Sequence, residues 1–307
     1  MRIAIVGAGA MGTVFGAALR RAGKDATLVD VSYPLVEHLT SRGAIVDEDG
    51  SSDRVRIPAT TDPASLGTVD AVIMFVKCYQ TEAAAKLARP LVGRDTIVAS
   101  LQNGWGNEDI LARHYGAQRV VAGVTYHSAR TSELGRVSHT SRGPTYIGPF
   151  DGGGMGAAER LGQALSDVGI ETHVTPAIGT QMWQKLVLNC ATLPIAALSG
   201  LGTSGLGAVA EVRELVLRVA AETCAVARAA GYDVDPGERI ETISRALDAG
   251  GDGKASMLQD IEAGRRTELD VITGAVLEQA RACGVEAPLN ALLFALVRGY
   301  EQAHGLA

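Results

Sequence analysis

The 307-residue sequence predicts an α/β chain: an N-terminal doubly wound parallel sheet followed by a second, all-helical domain. Three observations predict it. Short apolar runs alternate with helical stretches through the first half. A glycine-rich turn follows the first of those runs directly. Beyond Pro176 the periodicity is helical, with no convincing strand.

Taken in order, residues 3–6, 26–29, 71–76, 97–101 and 120–124 are apolar runs without polar alternation. Such runs suit strands buried on both faces. Between them, 11–22, 35–41, 83–88 and 108–114 read as helices, which makes right-handed βαβ units. Residues 144–148 and 171–174 read as late strands, joined through Asp151, Gly152, Gly153 and Gly154 and a helix near 157–166. The remaining helices are expected at 180–198, 209–230, 237–247, 255–282 and 289–302, so the domains divide at 1–177 and 178–307.

Composition narrows the function classes. Apolar residues make up 47% and charged residues 20%, the balance of a chain that buries a sizeable core. Net charge is −6 and no stretch is dense in lysine or arginine, so a nucleic-acid partner has no electrostatic footprint. Cys78, Cys190, Cys224 and Cys283 lie far apart, without a CxxC pair or a cysteine–histidine cluster. That spacing argues against a metal site and against a disulfide framework. Glycines follow the first apolar run too soon for a signal peptide, and no apolar run is long enough to span a bilayer. A cytoplasmic protein with no membrane partner is expected.

Gly7, Ala8, Gly9, Ala10, Met11 and Gly12 form a GxGxxG between a strand and a helix. The first glycine permits a tight turn, the second lets backbone approach a pyrophosphate, and the third lets helix and strand pack closely. In that context the motif predicts a Rossmann-type dinucleotide site, with phosphates at the helix N-terminus. A tight turn that binds nothing is the plainer alternative. Asp30 closes the second strand, where a carboxylate can accept from both ribose hydroxyls. A 2′-phosphate would meet like charge there, so NAD(H) is favoured, with NADP(H) the alternative. Val31, Ser32 and Tyr33 follow, with no arginine to receive that phosphate.

Ligands in an open parallel sheet sit beyond the carboxyl ends of its strands. The residues that follow those ends are Lys77, then Gln102, Asn103 and Gly104, then Thr125, Tyr126 and His127. In the second half, Lys185 and Asn189 are four apart on a predicted helix and share a face beside Trp183. Burial there would depress the lysine pKa, although a lone lysine on a helix ordinarily reaches solvent. Ser256 and Glu268 fall on the helix expected at 255–282, where a lone glutamate is ordinarily a solvated carboxylate. His127, His139 and His173 are weaker acid–base candidates. Trp105 and Tyr126 suit packing as well as a pocket, and Cys190 suits the core.

Taken jointly, GAGAMG at 7–12, VK at 76–77, QNG at 102–104, WxKLxxN at 183–189 and SMLQD…RxTELD…G at 256–274 closely resemble the ketopantoate reductase family. The resemblance covers nearly the whole chain. It implies an active site in a cleft between a Rossmann domain and a helical domain. It also implies reduction of a 2-oxo acid, 2-dehydropantoate or a close analogue, to the (R)-2-hydroxy acid. By that similarity Lys185 is the general acid and Glu268 orients it or holds a substrate hydroxyl. Asn103 and Asn189 position lysine, nicotinamide or substrate, Ser256 helps hold the carboxylate, and Lys77 contacts the cofactor. A homodimer through the helical domain is expected.

The chain departs from the family pattern twice. Leu193 stands where members that make pantoate commonly carry a second asparagine, and Asp30 differs from the many members that prefer NADPH. Both departures favour a relative that uses NADH on a more apolar 2-oxo acid, such as a D-mandelate-type dehydrogenase. Two further alternatives stay open: a dehydrogenase of sugar phosphates or 3-hydroxy acids, and a dinucleotide-binding sensor without catalysis. The first would want phosphate-binding arginines, and the second predicts loss of the lysine or glutamate, yet both are present.

Overall fold

Alternation of side chains along each strand decides how the first half packs. The computed structural model describes residues 1–251 and 253–306. It separates into two units, one of Met1–Gln102 with Asn107–Ile178, the other of Asn103–Gly106 with the chain from Gly179 onward.

The first unit holds β1 (Arg2–Val6), β2 (Asp25–Val29), β3 (Ala44–Glu48), β4 (Ser51–Val55), β5 (Ala59–Thr60) and β6 (Ala71–Met74). It continues with β7 (Ile97–Ser100), β8 (Val120–Thr125), β9 (Ser128–Glu133), β10 (Arg136–Ser141), β11 (Thr145–Pro149) and β12 (Thr172–Val174). Its helices are α1 (Ala10–Arg21), α2 (Tyr33–Arg42), α3 (Thr81–Leu87), α4 (Asn107–Tyr115) and α5 (Met155–Ser166). Eight strands form one sheet in the order β12-β11-β8-β7-β6-β1-β2-β5. Every neighbouring pair is parallel except β8 with β11. Strand order grows outward from β1 in both directions, which makes the sheet doubly wound with its switch point at β1.

Odd and even strand positions feed two separate cores. Ile3, Ile5, Ile73, Ile97 and Val121 pack with Phe15 and Leu19 of α1 and with Leu161 and Leu165 of α5. Ala4, Val6, Val72, Met74, Val98 and Val120 pack with Ala84 and Ala85 of α3 and with Leu111 and Tyr115 of α4. The expectation of strands buried on both faces is therefore met.

A second sheet was not expected. β4, β3, β10 and β9 lie side by side in that order, with β3 and β4 joined as an antiparallel hairpin. Its outer strands, SSDRV and SARTSE, are mostly polar and exposed, and its inner strands hold only short apolar runs, so the apolar-run criterion passes over them. The readable signal is Asp49-Gly50 between two pleated stretches, both at positive φ (50° and 74°), the commonest two-residue hairpin turn.

The second unit is helical among its described residues. It comprises α6 (Ile178–Ser199), α7 (Thr203–Ala208), α8 (Ala210–Ala229), α9 (Pro236–Ala249), α10 (Ser256–Glu262), α11 (Ala275–Cys283) and α12 (Pro288–Ala303). Trp183, Val187, Cys190, Val216, Val219, Ile243, Val276 and Val297 share one apolar core. The continuous helix expected at 255–282 is corrected to two helices with a break between them. After α10, Gly264 takes φ +64° and the Arg265 N–H donates to the Asp260 carbonyl at 2.8 Å, which closes the helix with a Schellman turn. The chain then re-enters through a π turn at Asp270–Gly274 before α11. Glu268 consequently sits in the bend that leads into the π turn, where its carbonyl accepts from the Ile272 N–H at 3.2 Å, and not within a long helix.

Candidate active site

In the second unit three polar side chains meet. The Lys185 Nζ donates to Asn103 Oδ1 at 2.8 Å, and Asn103 Nδ2 donates to Glu268 Oε2 at 3.4 Å. One amide therefore lies between an ammonium and a carboxylate, its oxygen toward the cation and its nitrogen toward the anion. Glu268 is only 5% exposed, so the reading as a solvated carboxylate fails for it. Burial pushes the Lys185 ammonium down to about 8, while the Glu268 charge works in the opposite direction.

Local backbone explains how Asn103 reaches this place. Gly104 has φ +91°, and a Cβ there would stand 2.4 Å from Val271 Cγ2 and 2.6 Å from the Val271 carbonyl oxygen. Only glycine allows that approach. The Trp105 N–H then donates to the same carbonyl at 2.8 Å. Residues 103–106 are thus docked against the π turn that follows Glu268. Trp105 also packs on Trp183 and Tyr232, with ring centroids 5.6 and 5.3 Å away.

Asn189 lies one helical turn beyond Lys185 on α6 and is buried, and Leu193 follows one turn later, buried within the apolar core. Ser256 is the first residue of α10, on a separate element and partly exposed. Cys190 is fully buried and its thiol is pushed up by that burial, as befits a core residue.

The first unit carries the glycine turn. Gly7 takes φ +101°, and a Cβ on Gly12 would stand 1.9 Å from the Gly7 carbonyl oxygen, so turn and helix touch through backbone alone. Gly9, by contrast, has nothing within 4 Å of its Cβ position and precedes α1 as its N-cap. That open backbone, with the unpaired N–H groups of a helix start, suits the pyrophosphate of a dinucleotide. Asp30 Oδ2 accepts from the Ala8 N–H at 2.8 Å and Oδ1 from the Ser32 N–H at 2.9 Å. A carboxylate offers about four acceptor sites, so lone pairs remain for hydroxyl donors. Lys77 caps the short turn Cys78–Gln80 after β6. The residues present fit a nicotinamide dinucleotide.

The candidate histidines His127, His139 and His173 belong to the first unit. His127 Nδ1 pairs with His139 Nε2 at 2.8 Å, and His139 Nδ1 pairs with Glu48. Burial and the neighbouring His139 lower the His127 pKa to about 4, so it is neutral near pH 7. His173 pairs with Glu171 at 2.7 Å.

Gln102 carries more than its motif suggested. Its Nε2 donates to the Val76 carbonyl and to Thr81 Oγ1, each at 2.8 Å, and Thr81 Oγ1 donates in turn to Asn107 Oδ1 at 3.0 Å. Next to them Glu108, 1% exposed, has its carboxyl pushed up to about 7 by burial. A glutamate at a helix start reads as a solvated first-turn charge, so sequence offered no sign of its burial.

Comparison with known proteins identifies the family. The family model for ketopantoate reductase PanE/ApbA matches residues 3–152, and the model for its C-terminal part matches 177–301. A 2-dehydropantoate 2-reductase of Pyrococcus horikoshii is 34% identical over 307 residues, 99% of each chain. Among solved structures, D-mandelate dehydrogenase in a ternary structure with NADH and anilino(oxo)acetate is similar at TM-score 0.94 and 27% identity, covering 100% of each chain. A 2-dehydropantoate 2-reductase from Geobacter metallireducens is similar at TM-score 0.92 and 30% identity, over 98% of this chain and 100% of that one.

Proposed function

Because this chain belongs to the ketopantoate reductase family and is an oxidoreductase acting on CH–OH donors, we propose that it reduces a 2-oxo acid to the (R)-2-hydroxy acid with Lys185 as general acid. The observation that carries this reading is the Lys185–Asn103–Glu268 arrangement. A bound nicotinamide dinucleotide would supply the hydride that reaches the carbonyl carbon.

The residues divide the remaining work. Negative charge grows on the substrate oxygen as the ketone is reduced, and the Lys185 ammonium stabilises that charge and gives up its proton there. Asn103 Oδ1 occupies one of the three N–H directions of Lys185 and so orients the others. Glu268 keeps the ammonium protonated against the pull of burial. Asn189 and Ser256 offer an amide and a hydroxyl to the substrate carboxylate. Gly7, Ala8, Gly9, Ala10, Met11 and Gly12 hold the pyrophosphate, Asp30 the ribose hydroxyls, and Lys77 the cofactor side, with NADH preferred. Residues 1–177 would then serve as the dinucleotide domain and 178–307 as the substrate and dimerisation domain.

Leu193 favours a second reading within the same chemistry. An apolar side chain one turn beyond Asn189 suits a 2-oxo acid without a hydroxyl in that place, and the likeness to D-mandelate dehydrogenase supports this. Self-association through the helical unit fits Leu292 and Leu296, which leave an exposed apolar strip on α12. Among the described residues no helix is long and apolar enough to cross a membrane, and Cys190 and Cys224 are buried thiols, consistent with a cytoplasmic setting.

The deciding experiment follows nicotinamide absorbance with NADH and NADPH separately. Substrates are 2-dehydropantoate, benzoylformate and branched 2-oxo acids. Turnover of at least one of them is expected, and inertness toward all would remove the proposal.

A further inference from the structure

The bend that presents Glu268 stands at the entry to the π turn, and its N-terminal side is closely held. Thr267, 2% exposed, precedes Glu268, and both its donors converge on one carboxylate oxygen of Glu301. The backbone N–H reaches Glu301 Oε1 at 2.9 Å and the hydroxyl reaches it at 2.7 Å. The Leu269 N–H, on the other side of Glu268, donates to the Thr267 hydroxyl at 3.2 Å. One buried carboxylate thereby fixes the backbone on both sides of Glu268.

Glu301 is 1% exposed and lies on α12, more than thirty residues later in the chain. A buried carboxylate needs compensation. Arg298 supplies it, with NH1 at 3.3 Å from Glu301 Oε2 and NH2 on Asp270. Arg266 bridges to the other Asp270 oxygen at 3.0 Å. Charges therefore alternate around the turn and none points into the apolar core alone. At its other end α12 is anchored by Glu222, whose carboxylate accepts from the Leu289 and Asn290 N–H groups at 2.9 and 2.8 Å. The helix that carries Glu301 is therefore held at both ends.

We infer that Glu301 and Thr267 are positioning residues for the reaction: through the turn at 267–269 they hold the Glu268 carboxylate toward Asn103 and Lys185. This rests on the role proposed for Glu268. Catalytic groups work only within about half an ångström of their productive placement, and a misplacement of about 1 Å costs up to about 100-fold. The N–H groups at the start of a helical turn have no partner within it, and here Glu301 accepts that of Thr267 while the Thr267 hydroxyl accepts that of Leu269.

The test compares Thr267→Val, Thr267→Ser, Glu268→Gln and the Thr267→Val/Glu268→Gln double variant. The first readout is kcat and KM with NADH and the 2-oxo acid turned over fastest. The second needs no turnover. The chain has five lysines, Lys24, Lys77, Lys86, Lys185 and Lys254, so ¹³Cε-lysine labelling lets the Lys185 titration be followed directly.

Thr267→Val is expected to lower kcat about 10–100-fold with little change in KM for NADH. It should also move the Lys185 titration downward, toward its value in Glu268→Gln. Thr267→Ser restores both. In the Glu268→Gln background the valine has little further effect, because a residue that acts through Glu268 has nothing left to act on. Equal losses in both backgrounds, or a normal kcat and Lys185 titration in Thr267→Val beside an impaired Glu268→Gln, overturn the inference. A Glu268→Gln enzyme that is normal in both readouts removes the role of Glu268 itself, and this inference with it. Thr267→Ala, which deletes the hydroxyl without crowding Glu301, carries the same comparison should the valine variant not fold.

Discussion

The Lys185 Nζ donates to Asn103 Oδ1 at 2.8 Å, so a residue of α6 meets one that follows the fourth predicted strand, 82 positions earlier. The asparagine is a neutral acceptor, so this hydrogen bond leaves the ammonium its charge. Positive charge is then still present when a substrate oxygen becomes negative.

Removing the amine should therefore cost chemistry and spare cofactor binding. Lys185→Ala is expected to lower kcat by about 10²–10⁴, with NADH affinity by fluorescence titration within a fewfold of the parent. A near-normal kcat would take Lys185 out of the mechanism.

The lowered lysine pKa sets a pH limit. Reduction needs the protonated amine, so its rate should be flat below pH 7 and decline as pH rises through about 8, tenfold per unit above that. Oxidation of the hydroxy acid needs the free amine and should rise through the same range. A reduction profile still flat at pH 9.5 contradicts the assignment.

Cofactor choice depends on Asp30. A 2′-phosphate about 4 Å from its carboxylate meets a penalty of roughly 1–4 kcal/mol, so NADH should bind more tightly than NADPH. Asp30→Ser should narrow the gap by weakening NADH and relieving NADPH. Tighter NADPH binding to the unmodified protein refutes this.

Substrate choice is expected to turn on Leu193. Leu193→Asn should shift the ratio of kcat/KM for 2-dehydropantoate over benzoylformate toward the hydroxylated acid by about 10–100-fold. It should also lower stability by about 1–3 kcal/mol, since the position is only 7% exposed within the apolar core. An unchanged ratio places the selecting contact elsewhere.

Glu108 offers a test independent of the reaction. Its folded pKa of about 7 lies above the ordinary carboxyl value of 4.5, so the folded state holds a proton that the unfolded state releases. The stability it contributes is complete below pH 4.5 and is lost as pH rises through about 7. Glu108→Gln should accordingly stabilise the protein at pH 8 by about 1–3 kcal/mol and change little at pH 4.5, as read by denaturant unfolding at the two pH values.

The parallel sheet was legible because each of its central strands is a run of apolar residues, and the glycine turn because Gly7, Gly9 and Gly12 recur at a fixed spacing directly after the first of them. The polar sheet of β3, β4, β9 and β10 was not, since few of its residues touch the core and only the Asp49-Gly50 turn marked it. The break in the helix expected at 255–282 had one visible sign, Gly264. Helical periodicity outweighed it because Met257, Leu258, Ile261, Leu269, Ile272 and Val276 are all buried and keep a helix-like spacing across the gap. Lys185, Asn103 and Glu268 were readable as residue types, but the amide standing between the two charges was not. The burial of Glu301 was invisible, because its partners Thr267 and Arg298 are assembled only by the folded turn and α12.

The excursion of residues 103–106 out of the first unit has a consequence for dissection of the molecule. A fragment beginning at residue 179 would contain every helix of the second unit and still lack Asn103, Trp105 and the strand-end glycine that seats against Val271. The two halves are not separable cassettes. Without residues 103–106 the second unit would lose the backbone that Gly104 and Trp105 lay against Val271.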